Sequence, residues 1–314
     1  MKIAIIGSGG VGGYHAGALM DAGAEVHIVT TSRHVAAISD RGLIVHTESG
    51  SRTYHPASVT TDGTGVGVCD LVMITVKLTH FEESLENCQQ MIGANTLVLT
   101  FQNGVVAPDM VAKRFGVEHA LPCVTFIVAF IDGPGEVRQI GGRPKMLIGS
   151  APIGLDGTYP ILEEFKDALL ANGVDAHISP TIAHDLWYKY AVICTMGGVN
   201  VLANATVGDI RSFDETHALW AKSVKEVQSV ARANGVDLTD EDCEKIVGEL
   251  DNYPEASTSS MQRDLIAGKL SELEYLNGAL VAKADATGID VPLQHLIVTI
   301  ARLHARRGRV GLAS

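Results

Sequence analysis

Seven residues near the start of the chain, Gly7-Ser8-Gly9-Gly10-Val11-Gly12-Gly13, have the types and spacing to hold a phosphate. They contain a G-x-G-x-x-G run. Its first glycine allows a tight turn, its second lets the backbone approach a pyrophosphate, and its third allows a helix to pack closely on a strand. The helix that follows leaves its N–H groups aimed at the anion. Farther along, Leu186-Trp187-Tyr188-Lys189 places a lysine on an otherwise apolar helix, followed by Ala191-Val192-Ile193-Cys194. A lysine there can give a proton to a carbonyl oxygen that gains charge as hydride arrives. The same lysine also fits a snorkelling side chain at a domain rim.

The glycine run needs a strand before it and a helix after it to carry this meaning. Lys2 to Ile6 is an apolar strand, Tyr14 to Ala22 reads as a helix, and Glu25 to Val29 is a second strand, completing a βαβ unit. An acidic residue at the end of that second strand would bind the ribose 2′-OH of NAD. The chain instead reads Thr30-Thr31-Ser32-Arg33-His34. Thr31 and Ser32 can donate hydrogen bonds to a 2′-phosphate and Arg33 can make charge-assisted ones, which places NADP ahead of NAD.

Further along, Asp70 to Val76 and Thr96 to Thr100 read as buried parallel strands separated by a helix from Thr79 to Met91. Val76-Lys77 and Phe101-Gln102-Asn103-Gly104 follow them at the sheet edge where ligands bind. Cys123 to Phe130 and Gly135 to Gly149 are strand-rich around the Gly133-Pro134-Gly135 turn. Ile161 to Asn172 is an amphipathic helix and Ala176 to Ser179 a last strand. From Thr181 on the pattern is helical, with helices expected over Ile182–Met196, Asp214–Asn234, Asp240–Leu250, Met261–Gly268, Leu270–Thr287 and Val291–Arg306. The expected architecture is a Rossmann-like α/β domain over residues 1–180 and an all-helical domain over 181–314. A cleft between two such domains is a favoured small-molecule site. The basic Arg306-Arg307-Gly308-Arg309 segment is expected to fray.

Composition narrows the function. The chain has 314 residues, 46% of them apolar, and a net charge of −12, which argues against nucleic acid or an anionic membrane surface as partner. The five cysteines are scattered without C-x-x-C spacing, as expected of buried thiols in a reducing, cytoplasmic compartment. No signal peptide, membrane-spanning stretch or histidine metal spacing is apparent.

Taken together, the motifs resemble the ketopantoate reductases (2-dehydropantoate 2-reductases). The resemblance rests on the glycine run, Val76-Lys77, Gln102-Asn103-Gly104, Gly133-Pro134-Gly135 and Trp187-x-Lys189. It rests also on Ser257-Thr258-Ser259-Ser260-Met261-Gln262-x-Asp264 followed by Ser271-Glu272-Leu273-Glu274-Tyr275-Leu276-Asn277-Gly278. It implies a helical second domain like that of 6-phosphogluconate dehydrogenase, and NADPH-dependent reduction of a small 2-keto acid. It further implies that Lys189 is the proton donor and that Glu272 is its acidic partner near the nicotinamide ribose. Lys77 and Asn103 would contact the cofactor's nicotinamide side, with Asn103 also positioning Lys189. Ser257, Ser259 and Ser260 would lie on the loop that holds the substrate carboxylate. Helical second domains of this kind often dimerise, which leaves a homodimer open.

The sequence also departs from that family. Its substrate-binding asparagines, read on from Lys189 at the family's spacing, fall on Ile193, Gly197 and Val207, none of which offers an amide's hydrogen bonds. Asn200 and Asn204 lie nearby. Arg33 comes about two residues after the family's arginine, where this chain has Thr31. The leading expectation is therefore a reductase with an altered substrate pocket. A dehydrogenase of another alcohol, ketone or imine and a non-catalytic dinucleotide-binding sensor are the alternatives.

Overall fold

In a computed structural model, residues 1–310 are described. They form two compact units. The first comprises Met1–Gln102 and Ala107–Ile182, and the second Asn103–Val106 together with the chain from Ala183 onward.

The first unit contains β1 (Lys2–Ile6), α1 (Gly10–Asp21), β2 (Glu25–Val29), α2 (Ser32–Arg41), β3 (Leu43–Thr47), β4 (Gly50–Tyr54), β5 (Ser58–Thr60) and β6 (Leu71–Ile74). It continues with α3 (Phe81–Cys88), β7 (Leu97–Thr100), α4 (Ala107–Phe115), β8 (Ala120–Gly133), β9 (Glu136–Gly149), α5 (Pro160–Ala171) and β10 (Asp175–Ser179). The strands lie in the order β4-β3-β9-β8-β7-β6-β1-β2-β5, with β10 beside β9. From β5 to β8 all pairs are parallel, and β8 turns back antiparallel into β9. The continuous apolar runs of β1, β6 and β7 follow from burial on both faces. The chain leaves β1 toward β2 on one side and reaches β6 on the other, so the glycine run sits at the point where strand order reverses.

α1 lacks a bulky apolar stripe because its neighbours come too close. A Cβ on Gly13 would lie 2.8 Å from a Val137 methyl of β9, and one on Gly17 would lie 2.8 Å from the Tyr54 ring of β4. Small residues therefore make the contact where ridges of large side chains could not fit.

The second unit is helical: α6 (Ile182–Ala203), α7 (Val207–Ser212), α8 (Asp214–Ala233), α9 (Asp240–Gly248), α10 (Ser260–Ile266), α11 (Asn277–Thr287) and α12 (Pro292–Val310). α6 is the central helix, and Tyr190, Cys194 and Val199 on it share a core with Trp220 and Val227 of α8. Thr206 and Thr239 close capping boxes with Asp209 and Asp242 at the starts of α7 and α9.

Three expectations change. α6 runs on to Ala203, well past Met196, ending at Asn204 with φ +49°. The helix expected from Leu270 begins only at Asn277, because Leu276 (φ −102°, ψ −104°) breaks the helical path and residues 272–276 form a turn. The basic segment expected to fray is carried within α12. Among the described residues no helix is long and apolar enough to cross a membrane, and no His, Cys, Asp or Glu cluster could hold a metal ion. All five cysteines are buried and unpaired.

Candidate active site

The glycine run is built as its spacing requires. Gly7 has φ +103°, a conformation that favours glycine, and its N–H donates to Val29 O at 2.8 Å, tying β1 to the end of β2. Thr75 Oγ1 donates to Ile6 O and Gly7 O (3.1 and 2.8 Å), and Ser8 and Thr30 share a hydroxyl hydrogen bond at 2.8 Å. A Cβ on Gly12 would lie 2.0 Å from Gly7 O, and one on Gly10 would lie 2.4 Å from the Ala129 backbone of β8. Gly9 differs. It has an ordinary φ of −70°, and a Cβ there would meet nothing within 4 Å. Among the described residues no atom demands glycine at position 9, whereas a ligand pressed against the backbone would. No side chain caps α1, so its first-turn N–H groups at Gly10, Val11 and Gly12 face that opening. These residues fit the pyrophosphate of a dinucleotide.

Thr31 is the N-cap residue of α2, and Ser32 and Arg33 lie in its first turn, all three exposed. Among the described residues Arg33 has neither a hydrogen bond nor a carboxylate partner, and its charge lowers the pKa of His34 in addition to burial. Lys77 is exposed where β6 gives way to a 3-10 turn. Gln102 clamps this sheet edge from within: its amide donates to Ile74 O and Val76 O (2.8 and 2.9 Å), while its oxygen accepts from Phe101 N at 3.1 Å. Thr75 escaped the motif reading. Its only sequence signal is a hydroxyl at the carboxyl end of a buried strand.

Asn103 begins the short segment that belongs with the helical unit. The Cβ position of Gly104 lies 3.3 Å from Leu276 Cδ2 and 3.6 Å from Tyr190 Cε2, and Val105 joins the core around α6 and α8. Tyr190 OH donates to Leu276 O at 2.8 Å, pinning the turn that carries Glu272 against α6 one residue from Lys189. Lys189 is half-buried. Burial brings its pKa down to about 8, and the Glu272 carboxylate pulls it back up. The two residues, far apart in sequence, are thus electrostatically coupled within the helical unit.

The serine block folds as the start of α10. Ser259 is its N-cap, with Oγ accepting from Gln262 N at 3.0 Å, while Ser260 is exposed and Ser257 O accepts from Val207 N at 2.9 Å. Gln262 fastens the block to α6 by donating to Asn200 O and Ala205 O (3.2 and 3.1 Å). Of the positions that depart from the family pattern, Val207 is fully buried and Ile193 packs at the edge of the core. Gly197 is covered by Met261, whose Cε lies 3.0 Å from the Cβ position. Asn200 is fully buried with its amide donating to Ala205 O at 2.9 Å, and Asn204 is exposed at the helix end. The Asn200 amide nitrogen thus closes α6, while its Oδ1 is buried without a hydrogen-bond partner among the described residues.

Known proteins are similar to this chain in sequence and fold. The family model described as "Ketopantoate reductase PanE/ApbA" matches residues 3–152, and "Ketopantoate reductase PanE/ApbA C terminal" matches residues 181–305. A 2-dehydropantoate 2-reductase of Pyrococcus horikoshii is 25% identical over 302 residues, covering 96% of this chain and 97% of that protein. The crystal structure of a PanE/ApbA family ketopantoate reductase from Ralstonia eutropha JMP134 is 28% identical with a TM-score of 0.87, covering 98% of this chain and 100% of that one. A D-mandelate dehydrogenase solved with NADH and anilino(oxo)acetate has the same fold, at 24% identity and a TM-score of 0.87, over 98% of this chain and 99% of that one. With both family models matched and the glycine loop shaped for a dinucleotide, the chain belongs to the ketopantoate reductase family, oxidoreductases that act on a keto or hydroxyl group with a nicotinamide cofactor.

Proposed function

We propose that the chain reduces a small 2-keto acid with NADPH, and that Lys189 supplies the proton. The carrying observation is the half-buried Lys189 held at a pKa of about 8 between desolvation and the Glu272 charge. A lysine tuned there is still protonated at neutral pH yet releases its proton more readily than an exposed one. The bound cofactor supplies the hydride. Lys189 donates a hydrogen bond to the substrate's keto oxygen and gives up its proton as that oxygen becomes an alkoxide. Glu272 keeps the ammonium charged until then, Asn103 positions it, and Ser257, Ser259 and Ser260 hold the substrate carboxylate. Ser259 keeps its own O–H to donate while its oxygen caps α10. Gly7 to Gly12, Lys77 and Arg33 hold the dinucleotide, with Thr31, Ser32 and Arg33 on the 2′-phosphate.

Ile193, half-buried at the edge of the helical core where the family carries an asparagine, favours a substrate whose side group is less polar than that of ketopantoate, while Val207 is fully buried and Gly197 is covered by Met261. A pocket built without hydrogen-bonding amides gains nothing from a substrate hydroxyl. A second reading is oxidation of the matching 2-hydroxy acid above pH 8, where neutral Lys189 accepts the proton. The dehydrogenase among the fold neighbours is in keeping with it.

The test follows loss of NADPH absorbance with ketopantoate and a panel of 2-keto acids. The expected result is a higher kcat/KM for a 2-keto acid with an apolar side chain than for ketopantoate, with Ile193→Asn shifting the balance back. Lys189→Ala should cut kcat by about a hundredfold or more at unchanged NADPH affinity. Tight cofactor binding with no turnover of any substrate in either direction would instead identify a sensor.

A further inference from the structure

The α/β unit holds an open cavity of about 480 Å³, walled by α1, the β3–β4 hairpin, the middle of β9 and the turn between α5 and β10. None of Gly7 to Gly12 lines it. The volume is in the range of small-molecule sites, and the polar groups around it are left unmatched in a consistent way.

Four charged residues line the cavity, and only two of them satisfy each other. Asp21 accepts from Arg52 at 2.6 Å and from Tyr54 OH at 2.9 Å. Arg143 donates only to main-chain carbonyls, Val174 O at 3.2 Å and Leu170 O at 3.5 Å, and has no carboxylate partner among the described residues. Glu48 accepts from Gly141 N at 3.3 Å and has no cationic partner among the described residues. An exposed positive group and an exposed negative group thus line one cavity without pairing with each other.

The neutral groups repeat the pattern. The half-buried Tyr14 hydroxyl has no hydrogen bond among the described residues, and the Arg143 charge acts on it against the upward effect of burial. Gln139 is buried, and its amide donates to Ile140 O and Gly142 O (2.8 and 2.6 Å). Asn172 donates to Ala168 O at 2.8 Å. The side-chain oxygens of both therefore remain acceptors without donors among the described residues. The rings of Tyr14 and Tyr54 supply an apolar wall.

An anion would satisfy Arg143 and Tyr14 but confront Glu48, and a cation would do the reverse. A molecule carrying both charges satisfies all of them. We propose that this cavity binds a free amino acid as its zwitterion. Arg143 and the Tyr14 hydroxyl take the carboxylate, Glu48 and the amide oxygens take the ammonium, and Tyr14 and Tyr54 flank an apolar side chain.

Isothermal titration of the full chain, saturated with NADPH, with each of the twenty common amino acids tests this. An apolar or aromatic amino acid should bind saturably at one site per chain. Its N-acetyl derivative, which lacks the ammonium, and its amide, which lacks the carboxylate, should each bind at least about tenfold more weakly. Tyr14→Phe, which removes one hydroxyl and keeps the ring, and Arg143→Gln should weaken binding by a similar factor, and Lys189→Ala should leave it intact. The proposal is overturned if no amino acid titrates saturably, if either derivative binds as well as the parent, or if Tyr14→Phe and Arg143→Gln bind normally. It falls equally if Lys189→Ala abolishes binding, since the amino acid would then occupy the reductase site. Turnover enters none of these readouts, so failure of the reductase reading leaves the result interpretable.

Discussion

In the proposed mechanism, Lys189 is where chemistry and stability pull against each other. Burial that lowers its pKa to about 8 means that the folded chain binds this proton more weakly than the unfolded one. The penalty is complete below about pH 8 and disappears as pH rises toward the unfolded value of 10.5. Lys189→Met keeps length and apolar bulk without the charge. It should stabilise the protein at pH 7 by on the order of 1–3 kcal/mol while abolishing turnover, and urea unfolding should show that gap closing between pH 8 and pH 10.5. In the wild type, reductive kcat should hold steady below pH 8 and decline about tenfold per unit above it; a flat profile to pH 10 would remove Lys189 as the donor. The lysine itself was legible, as a charge on an apolar helix. Glu272 was legible only through the motif, because helical periodicity places it on a solvated helix face, whereas the structure places it in a turn held against α6 by Tyr190.

At the scale of elements, the glycines of the loop do different work that their spacing does not distinguish. Gly12 and Gly10 are required by the protein, since a Cβ would strike Gly7 O or the Ala129 backbone. Gly9 is required by nothing within it. Gly9→Ala should cost only the N-cap preference of glycine over alanine at the start of α1, about 0.5–1 kcal/mol, yet weaken the dinucleotide at least about tenfold. Gly10→Ala and Gly12→Ala should each cost about 1–3 kcal/mol of stability without any ligand present. Denaturant melts with and without NADPH separate the two outcomes, and a Gly9→Ala protein that binds normally would show that the opening receives no phosphate. The G-x-G-x-x-G frame was readable because strand, turn and helix are consecutive. The demand on Gly10 was not, since it is imposed by β8, which comes far later in the chain. The same limit explains α11: Leu270 to Leu276 has helical periodicity, but Leu273 and Leu276 are buried as anchors of a turn.

At the scale of the whole molecule, the shift from mixed to helical pattern near residue 180 was visible in the sequence. The membership of Asn103–Val106 in the helical unit was not, because that segment lies between a strand and a helix of the other unit and only its packing on Leu276 and Tyr190 reveals it. The net charge of −12 sets a further condition, since an anionic cofactor must be drawn to an acidic protein by local donors. Under the proposed use of NADPH, Arg33, exposed and without a carboxylate partner among the described residues, would be that donor for a 2′-phosphate. Its contact would be exposed, so it should weaken as the screening length falls from about 10 Å at 0.1 M salt to about 3 Å at 1 M. The ratio of kcat/KM for NADPH over NADH should therefore shrink with added salt in the wild type. In Arg33→Ala it should start about tenfold lower or more and change little. A ratio indifferent both to the substitution and to salt would move recognition of the 2′-phosphate away from Arg33, leaving the hydroxyls of Thr31 and Ser32 to discriminate without charge.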